Sequence, residues 1–227
     1  MGDLILNGRP LLRGLALDCP QGRWTALMGP SGVGKSTLGR ISAGLPVAAQ
    51  LRGRVDGTGA VTLMGQQDQL LPWADALANV TIGARLRGQP PDRDRARALL
   101  ADLGLSGLEA RRPAHLSGGQ RQRVALARTL IEDRPVVVLD EPFSALDAGT
   151  RAQMQDLAAR HLAGRTVILI THDPLEAARL CHAAWLLDTR GTRALTLPAT
   201  PIPRALDDPQ VLATQGALFR SLMPCAA

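Results

Sequence analysis

A chain of 227 residues with a net charge of +6, no tyrosine, two phenylalanines and three tryptophans suits one domain, or one with a small subdomain, whose core is built from Leu, Val, Ile and Ala. Its arginines are dispersed, in only short clusters such as Arg93-Arg95-Arg97 and Arg111-Arg112, and no aromatics are interleaved for base stacking, which argues against a nucleic-acid surface. No run approaches the roughly 18 apolar residues of a membrane span. Cys19, Cys181 and Cys225 are odd in number and lack metal-ligand spacing, so a soluble chain in a reducing, cytoplasmic compartment is expected.

Residues 4–28 alternate short apolar runs with turn signals at Asn7-Gly8 and Pro20-Gln21-Gly22, predicting a β-rich opening that ends in a buried strand over 24–28. Gly29-Pro30-Ser31-Gly32-Val33-Gly34-Lys35-Ser36-Thr37 then fits the phosphate-binding pattern G-x-x-x-x-G-K-[ST]. It stands between that strand and a predicted helix running to about Ala43, stopped by Gly44-Leu45-Pro46. Glycines in such a loop let backbone N–H groups turn inward around a phosphate chain, and the helix N-terminus adds positive character at the same spot. Lys35, the only lysine in the chain, would reach the β- and γ-phosphates, and the Ser36 hydroxyl would hold Mg²⁺.

Residues 54–64 read as two strands around a Gly-rich turn, and Gly65 to Trp73 as a polar, amide-rich segment. Gln66 at a strand end can meet a metal or an attacking water, though a plain polar loop has the same composition; Trp73 is either packed locally or shown to a partner. Helices are predicted over 75–88 and 92–103, separated by Gly88-Gln89-Pro90-Pro91 and ended by Gly104. Ser117-Gly118-Gly119-Gln120 opens the next helix, reaching about Leu130, and this is either a second anion-binding helix start or an ordinary capped one. Val136 to Leu139 reads as a fully buried four-residue strand of a parallel sheet ending in Asp140 and Glu141, where one carboxylate can reach Mg²⁺ and the next can polarise an attacking water. A second such strand over 166–170 ends in Thr171-His172-Asp173; His172 is structural, or lies beside the γ-phosphate if the two strands are neighbours. Ser144-Ala145-Leu146-Asp147 forms a turn into a helix from about Gly149. Beyond Trp185 come Leu186-Leu187, a turn, a proline-rich segment over 198–203 and a last amphipathic helix near 211–222, none with evident chemistry.

In this order the motifs resemble those of the ATP-binding subunit of an ABC transporter: GPSGVGKST at 29–37, glutamine at 66, LSGGQRQRVALARTL at 116–130, VVVLDEP at 136–142, SALD at 144–147 and THD at 171–173. The resemblance covers about residues 4–188 and implies an α/β, RecA-like P-loop core with an N-terminal antiparallel β portion and a smaller helical subdomain. It divides the chain into a core over about 1–66 and 131–190, a helical signature subdomain over about 67–130 and a C-terminal extension over 191–227. Binding of ATP and Mg²⁺ by Gly29 to Thr37 follows from it, with Ser36, Gln66 and Asp140 at the metal, Glu141 as the water-orienting carboxylate and His172 as a switch at the γ-phosphate. Ser117 to Gln120, with Asp147, would close over nucleotide held by a second ATP-binding subunit, which implies a homodimer.

The LLPW run at 70–73 is similar to bacterial importers of nitrate, sulfonates, taurine or thiamine precursors, and segment 68–85 would receive a membrane permease. That implies work at the cytoplasmic face of the membrane with a separate substrate-binding protein and no nucleic acid. The alternatives are a non-transport ABC ATPase acting on nucleic acid or ribosomes, and an unrelated P-loop kinase, against which the signature run and the His172 strand argue. In one respect the chain departs from the family: residues 1–23 contain no aromatic to stack on adenine, which leaves Leu6, Arg9 or Leu11 to pack there.

Overall fold

The computed structural model describes residues 2–57, 59–188 and 190–223; Cys225, and Thr58 of the expected 54–64 strand pair, lie outside them. Two compact units emerge, one of Met1–Leu63, Pro135–Glu141 and Ala163–Ala227, the other of Met64–Arg134 and Pro142–Leu162.

The first unit opens with strands β1 (Gly2–Leu6) and β2 (Arg9–Leu15), an antiparallel pair turned at Asn7-Gly8. Both turn residues have positive φ, 51° and 77°, the backbone that a two-residue hairpin needs and that Asn-Gly supplies. A third strand, β4 (Ala49–Arg52), pairs antiparallel with β1 in the sheet order β2-β1-β4. The larger sheet has the order β5-β6-β7-β3-β8-β9, made of β3 (Trp24–Met28), β5 (Val61–Met64), β6 (Val136–Asp140), β7 (Thr166–Ile170), β8 (Ala183–Asp188) and β9 (Gly191–Leu195). Strands β6, β7, β3 and β8 run parallel, and β9 returns antiparallel to β8. The near-continuous Val, Ile and Leu runs of β6 and β7 reflect this, since a parallel strand is buried on both faces. The expected hairpin over 54–64 is not formed: only its second half is a strand, and the first strand, β4, comes earlier. The alternating burial of β4 gives β1 one apolar face to cover, whereas Arg54 and Asp56 are exposed and pair with each other.

In the second unit the helix expected over 75–88 is two short ones, α2 (Ala76–Val80) and α3 (Ile82–Leu86), after α1 (Lys35–Ser42) of the first unit. The break falls at Thr81, whose hydroxyl donates to the Leu77 carbonyl at 2.9 Å and competes with the backbone ladder. Helix α4 (Arg93–Asp102) ends before Gly104 at φ 66°, as expected. Helix α5 (Gly118–Leu130) follows a 3₁₀ turn at Pro113–His115. Residues 142–162, which the sequence assigns to the core, belong to this unit. They contain α6 (Ala148–His161) and meet α5 directly: the Ala145 N–H donates to Gln122 Oε1 at 2.9 Å, and Leu146 lies 3.2 Å from where a Cβ on Gly119 would sit.

Residues 191–223, expected as an extension, fall within the first unit. Helix α7 (Pro174–Leu180), which periodicity alone passes over, is started by Asp173 as N-cap and Pro174 at the first position. The carbonyls of Ala178 in α7 and of its C-cap Cys181 accept from the buried guanidinium of Arg204, at 2.6 and 2.9 Å, which anchors the proline-rich segment before α8 (Pro209–Leu222).

Candidate functional site

The carboxyl ends of β3, β6 and β7 finish in register, Leu27 opposite Ile170 and Ile170 opposite Asp140, so the loops that follow them share one edge of the sheet. Those loops carry Gly29–Lys35, Glu141 and His172. Gly29 is confined to glycine twice over: its φ is 145°, and an added Cβ would fall 2.2 Å from the Leu187 carbonyl oxygen. At the loop's other end Gly34, at φ 107°, caps α1 and has no side chain of its own to bond the first-turn N–H groups. The leading N–H groups of the helix are therefore offered to an anion.

Lys35 is buried, and its Nζ donates to the carbonyls of Gly29 and Pro30 at 2.8 and 2.9 Å. Burial lowers its pKa, opposed by the charges of Glu141 and Asp140. Asp140 is 4% exposed; burial raises its pKa, a hydrogen bond to Ser36 lowers it, Glu141 raises it, and Lys35 and Arg40 lower it. Its Oδ1 is buried and, among the described residues, meets no hydrogen-bond donor. An orphaned carboxylate oxygen beside a serine hydroxyl and an ammonium matches the needs of a hard divalent cation arriving with a triphosphate. Glu141 sits at φ 49°, a left-handed backbone uncommon for glutamate, with its N–H on the Ile170 carbonyl at 2.9 Å. Its Oε1 meets His172 Nδ1 at 3.1 Å, so the condition that the two strands be neighbours is met. A cavity of about 520 Å³ lies at the β1–β2 hairpin, lined by Leu6, Asn7, Arg9, Pro10 and Leu11. One of its lining residues, Leu11, also packs at the loop, with Cδ2 3.0 Å from where a Cβ on Gly34 would sit.

The other motif residues are in the second unit. Gln66 is exposed, two residues past β5. Ser117 and Gln120 form a reciprocal capping box: the Gln120 N–H donates to Ser117 Oγ at 3.2 Å, and the Ser117 N–H to Gln120 Oε1 at 2.8 Å. Gly118 and Gly119 open the helix without side chains to cover its N-terminus. Asp147 caps α6 through the Thr150 N–H at 3.0 Å, and the bonds to Thr150 lower its pKa. Sequence reasoning missed Arg121, Arg128 and Asn79, which hold the segment after Gln66; their only signal was a polar face on otherwise apolar helices.

A glycine-rich strand-to-helix loop with its lysine, at the edge where two further strands deliver Asp140, Glu141 and His172, defines a P-loop nucleoside triphosphatase. The ABC transporter family profile matches residues 12–144. The chain is 46% identical over 222 residues to the aliphatic sulfonates import ATP-binding protein SsuB 1 of Rhodococcus jostii, covering 94% of the chain and 87% of that protein. It is 42% identical to the SsuB protein of Rhodopseudomonas palustris, covering 94% and 78%. Its fold matches a dimeric ATP-binding cassette solved in a post-hydrolysis state with ADP and Pi, with a TM-score of 0.73, 27% identity, and coverage of 88% of the chain and 100% of that structure. The chain belongs to the ABC transporter family, as an ATP-binding and ATP-hydrolysing subunit.

Proposed function

We propose that the chain powers a bacterial importer as one of two identical cassettes at the cytoplasmic face of the membrane. The observation that carries this reading is the orphaned Oδ1 of Asp140, beside Lys35 and Ser36 and at the same sheet edge as the Glu141–His172 pair. In this reading the N–H groups of Gly32 to Thr37 receive the phosphates, with Gly29, Pro30, Ser31 and Val33 shaping the loop. Lys35 exchanges the Gly29 and Pro30 carbonyls for β- and γ-phosphate oxygens. Ser36 and Asp140 would hold Mg²⁺, which would supply positive charge against the phosphate oxygens. Glu141 orients the water that attacks the γ-phosphorus and accepts its proton, while His172 steadies the carboxylate. The base enters the cavity at Leu6 to Leu11.

Ser117 to Gln120 and Asp147 act on the nucleotide of the second copy. The exposed Trp73 and the neighbouring α2 and α3 face the permease, and the transported molecule, delivered by a separate binding protein, is a small sulfonate as in the named relatives. No nucleic acid takes part. Ser117→Arg tests the arrangement: ATP affinity of the isolated monomer stays at the parent value while hydrolysis is lost, because a bulky cation there blocks only the partner's nucleotide. Loss of ATP affinity in the monomer would put the contact within one chain and refute the paired site.

A further inference from the structure

Within the second unit one guanidinium joins two segments that are far apart in sequence. Arg121, in the first turn of α5, donates from Nε to Asp68 Oδ2 at 2.8 Å and from Nη1 to the Leu116 carbonyl at 3.1 Å. Asp68 stands two residues past Gln66, and Leu116 immediately precedes Ser117. Seven residues along α5, and so on the same helix face, Arg128 donates to the carbonyls of Gln69 and Asp68 at 2.8 and 2.7 Å. Two arginines of the signature helix thus grip the backbone that follows Gln66.

That backbone is held onward to Trp73 as well. Gln69 has a φ of 47°, a conformation glutamine seldom adopts without being held there. Asn79, fully buried on α2, accepts from the Leu71 N–H at 2.7 Å and donates to the carbonyls of Leu71, Ala74 and Asp75 at 3.2, 3.1 and 3.0 Å. Trp73 itself is 69% exposed at the tip of this stitched turn.

We propose that Arg121 and Asp68 are positioning residues that lock the Ser117 turn to the Gln66–Trp73 segment, so that a protein contact at Trp73 is felt at Ser117. This rests on the roles given above to Ser117 and Trp73. Arginine is the side chain suited to such a lock, because a planar guanidinium holds two acceptors at a fixed mutual angle, which a lysine ammonium cannot do. The pair is about one-third exposed and adds little to stability, so its removal spares the fold.

Coupling between two sites is reciprocal, so nucleotide engagement of Ser117 must in turn be felt at Trp73. The experiment is amide hydrogen exchange on the Glu141→Gln chain with and without Mg-ATP. In that chain exchange slows at 117–121 and at 68–75 together, each by about fivefold or more, the lower end of coupling factors. Adding Asp68→Asn or Arg121→Ala leaves the slowing at 117–121 and abolishes it at 68–75, with exchange in the absence of nucleotide and the melting temperature both unchanged. Slowing at 68–75 that persists in both variants, or that is absent from the Glu141→Gln chain while 117–121 responds, overturns the proposal alone. A response at neither segment, despite bound nucleotide, overturns the paired-site reading and the proposal with it.

Discussion

Replacing Arg204 with alanine tests whether the C-terminal segment is part of the folded unit or an appendage to it. Arg204 is 3% exposed, and among the described residues its guanidinium donates to neutral acceptors: the carbonyls of Ala178, Cys181 and Pro198, and the carbonyl and hydroxyl of Thr200. Clasping the two segments a second time, the Arg204 N–H donates to the Arg179 carbonyl at 3.0 Å, and Arg179 Nε donates to the Arg204 carbonyl at 2.9 Å. Removing the cation strands several buried acceptors at about 1–3 kcal/mol each, offset by the several kcal/mol of hydration that a buried guanidinium gives up on folding. The net loss is about 3 kcal/mol, which for a chain of this size lowers Tm by about 6–12 °C. Arg204→Lys falls between, because a point charge reaches fewer carbonyls than the planar fork. Urea or thermal unfolding followed by circular dichroism measures the loss, with ATP affinity as the control that should not move. If Arg204→Ala stays within about 0.5 kcal/mol of the parent, as an ordinary surface substitution does, the reasoning fails.

Two other outcomes follow from the same structure. Stacking on an aromatic ring contributes about 1–3 kcal/mol per base. The hairpin cavity is lined by Leu6, Asn7, Arg9, Pro10 and Leu11 with no aromatic ring, so ATP should be preferred over GTP by less than about tenfold, and tryptophan at Leu6, Arg9 or Leu11 should tighten binding at whichever position faces the base. Hundredfold discrimination by the parent, unimproved in all three variants, would show that another group reads the base. His182 Nδ1 accepts the Trp24 N–H at 3.0 Å, which requires a neutral ring, and burial, then Arg23 and Arg204, lower its pKa from the ordinary value of 6.5. Its contribution to stability is complete above that ordinary value and is lost as pH falls below it, because the unfolded chain takes up the proton first. A urea midpoint followed from about pH 8 to about pH 5.5 should therefore decline less steeply in His182→Asn, whose Oδ1 keeps the acceptor without the titration; equal slopes would assign the decline to other groups.

What could be read from the residues were the features carried by local chemistry. The phosphate loop, the Ser117 cap, the buried β6 and β7 and the carboxylates at their ends each declare themselves through spacing and period. The partners of those residues could not be read, because they come from strand order: nothing in 140–172 says that β6 and β7 are adjacent, and only that adjacency brings His172 to 3.1 Å from Glu141. Asp147 illustrates the converse. Its motif suggests a nucleotide contact, while its side chain is engaged as the N-cap of α6. Arg204 was passed over because a cation among prolines reads as surface, and only the packing of α7 shows its five acceptors. The strand expected near residue 54 misled because a Gly-rich turn fits a hairpin as well as a connection between two sheets.

The central claim, an ATPase that fires only when two copies close on nucleotide, is met most directly by Glu141→Gln on a sizing column. The substitution neutralises the carboxylate proposed to orient the water and leaves Lys35, Ser36, Asp140 and the Ser117 turn intact. In Mg-ATP the variant should bind nucleotide, run at twice the monomer mass and release almost no phosphate. A variant that binds ATP yet stays monomeric, or that hydrolyses at the parent rate, would contradict the account.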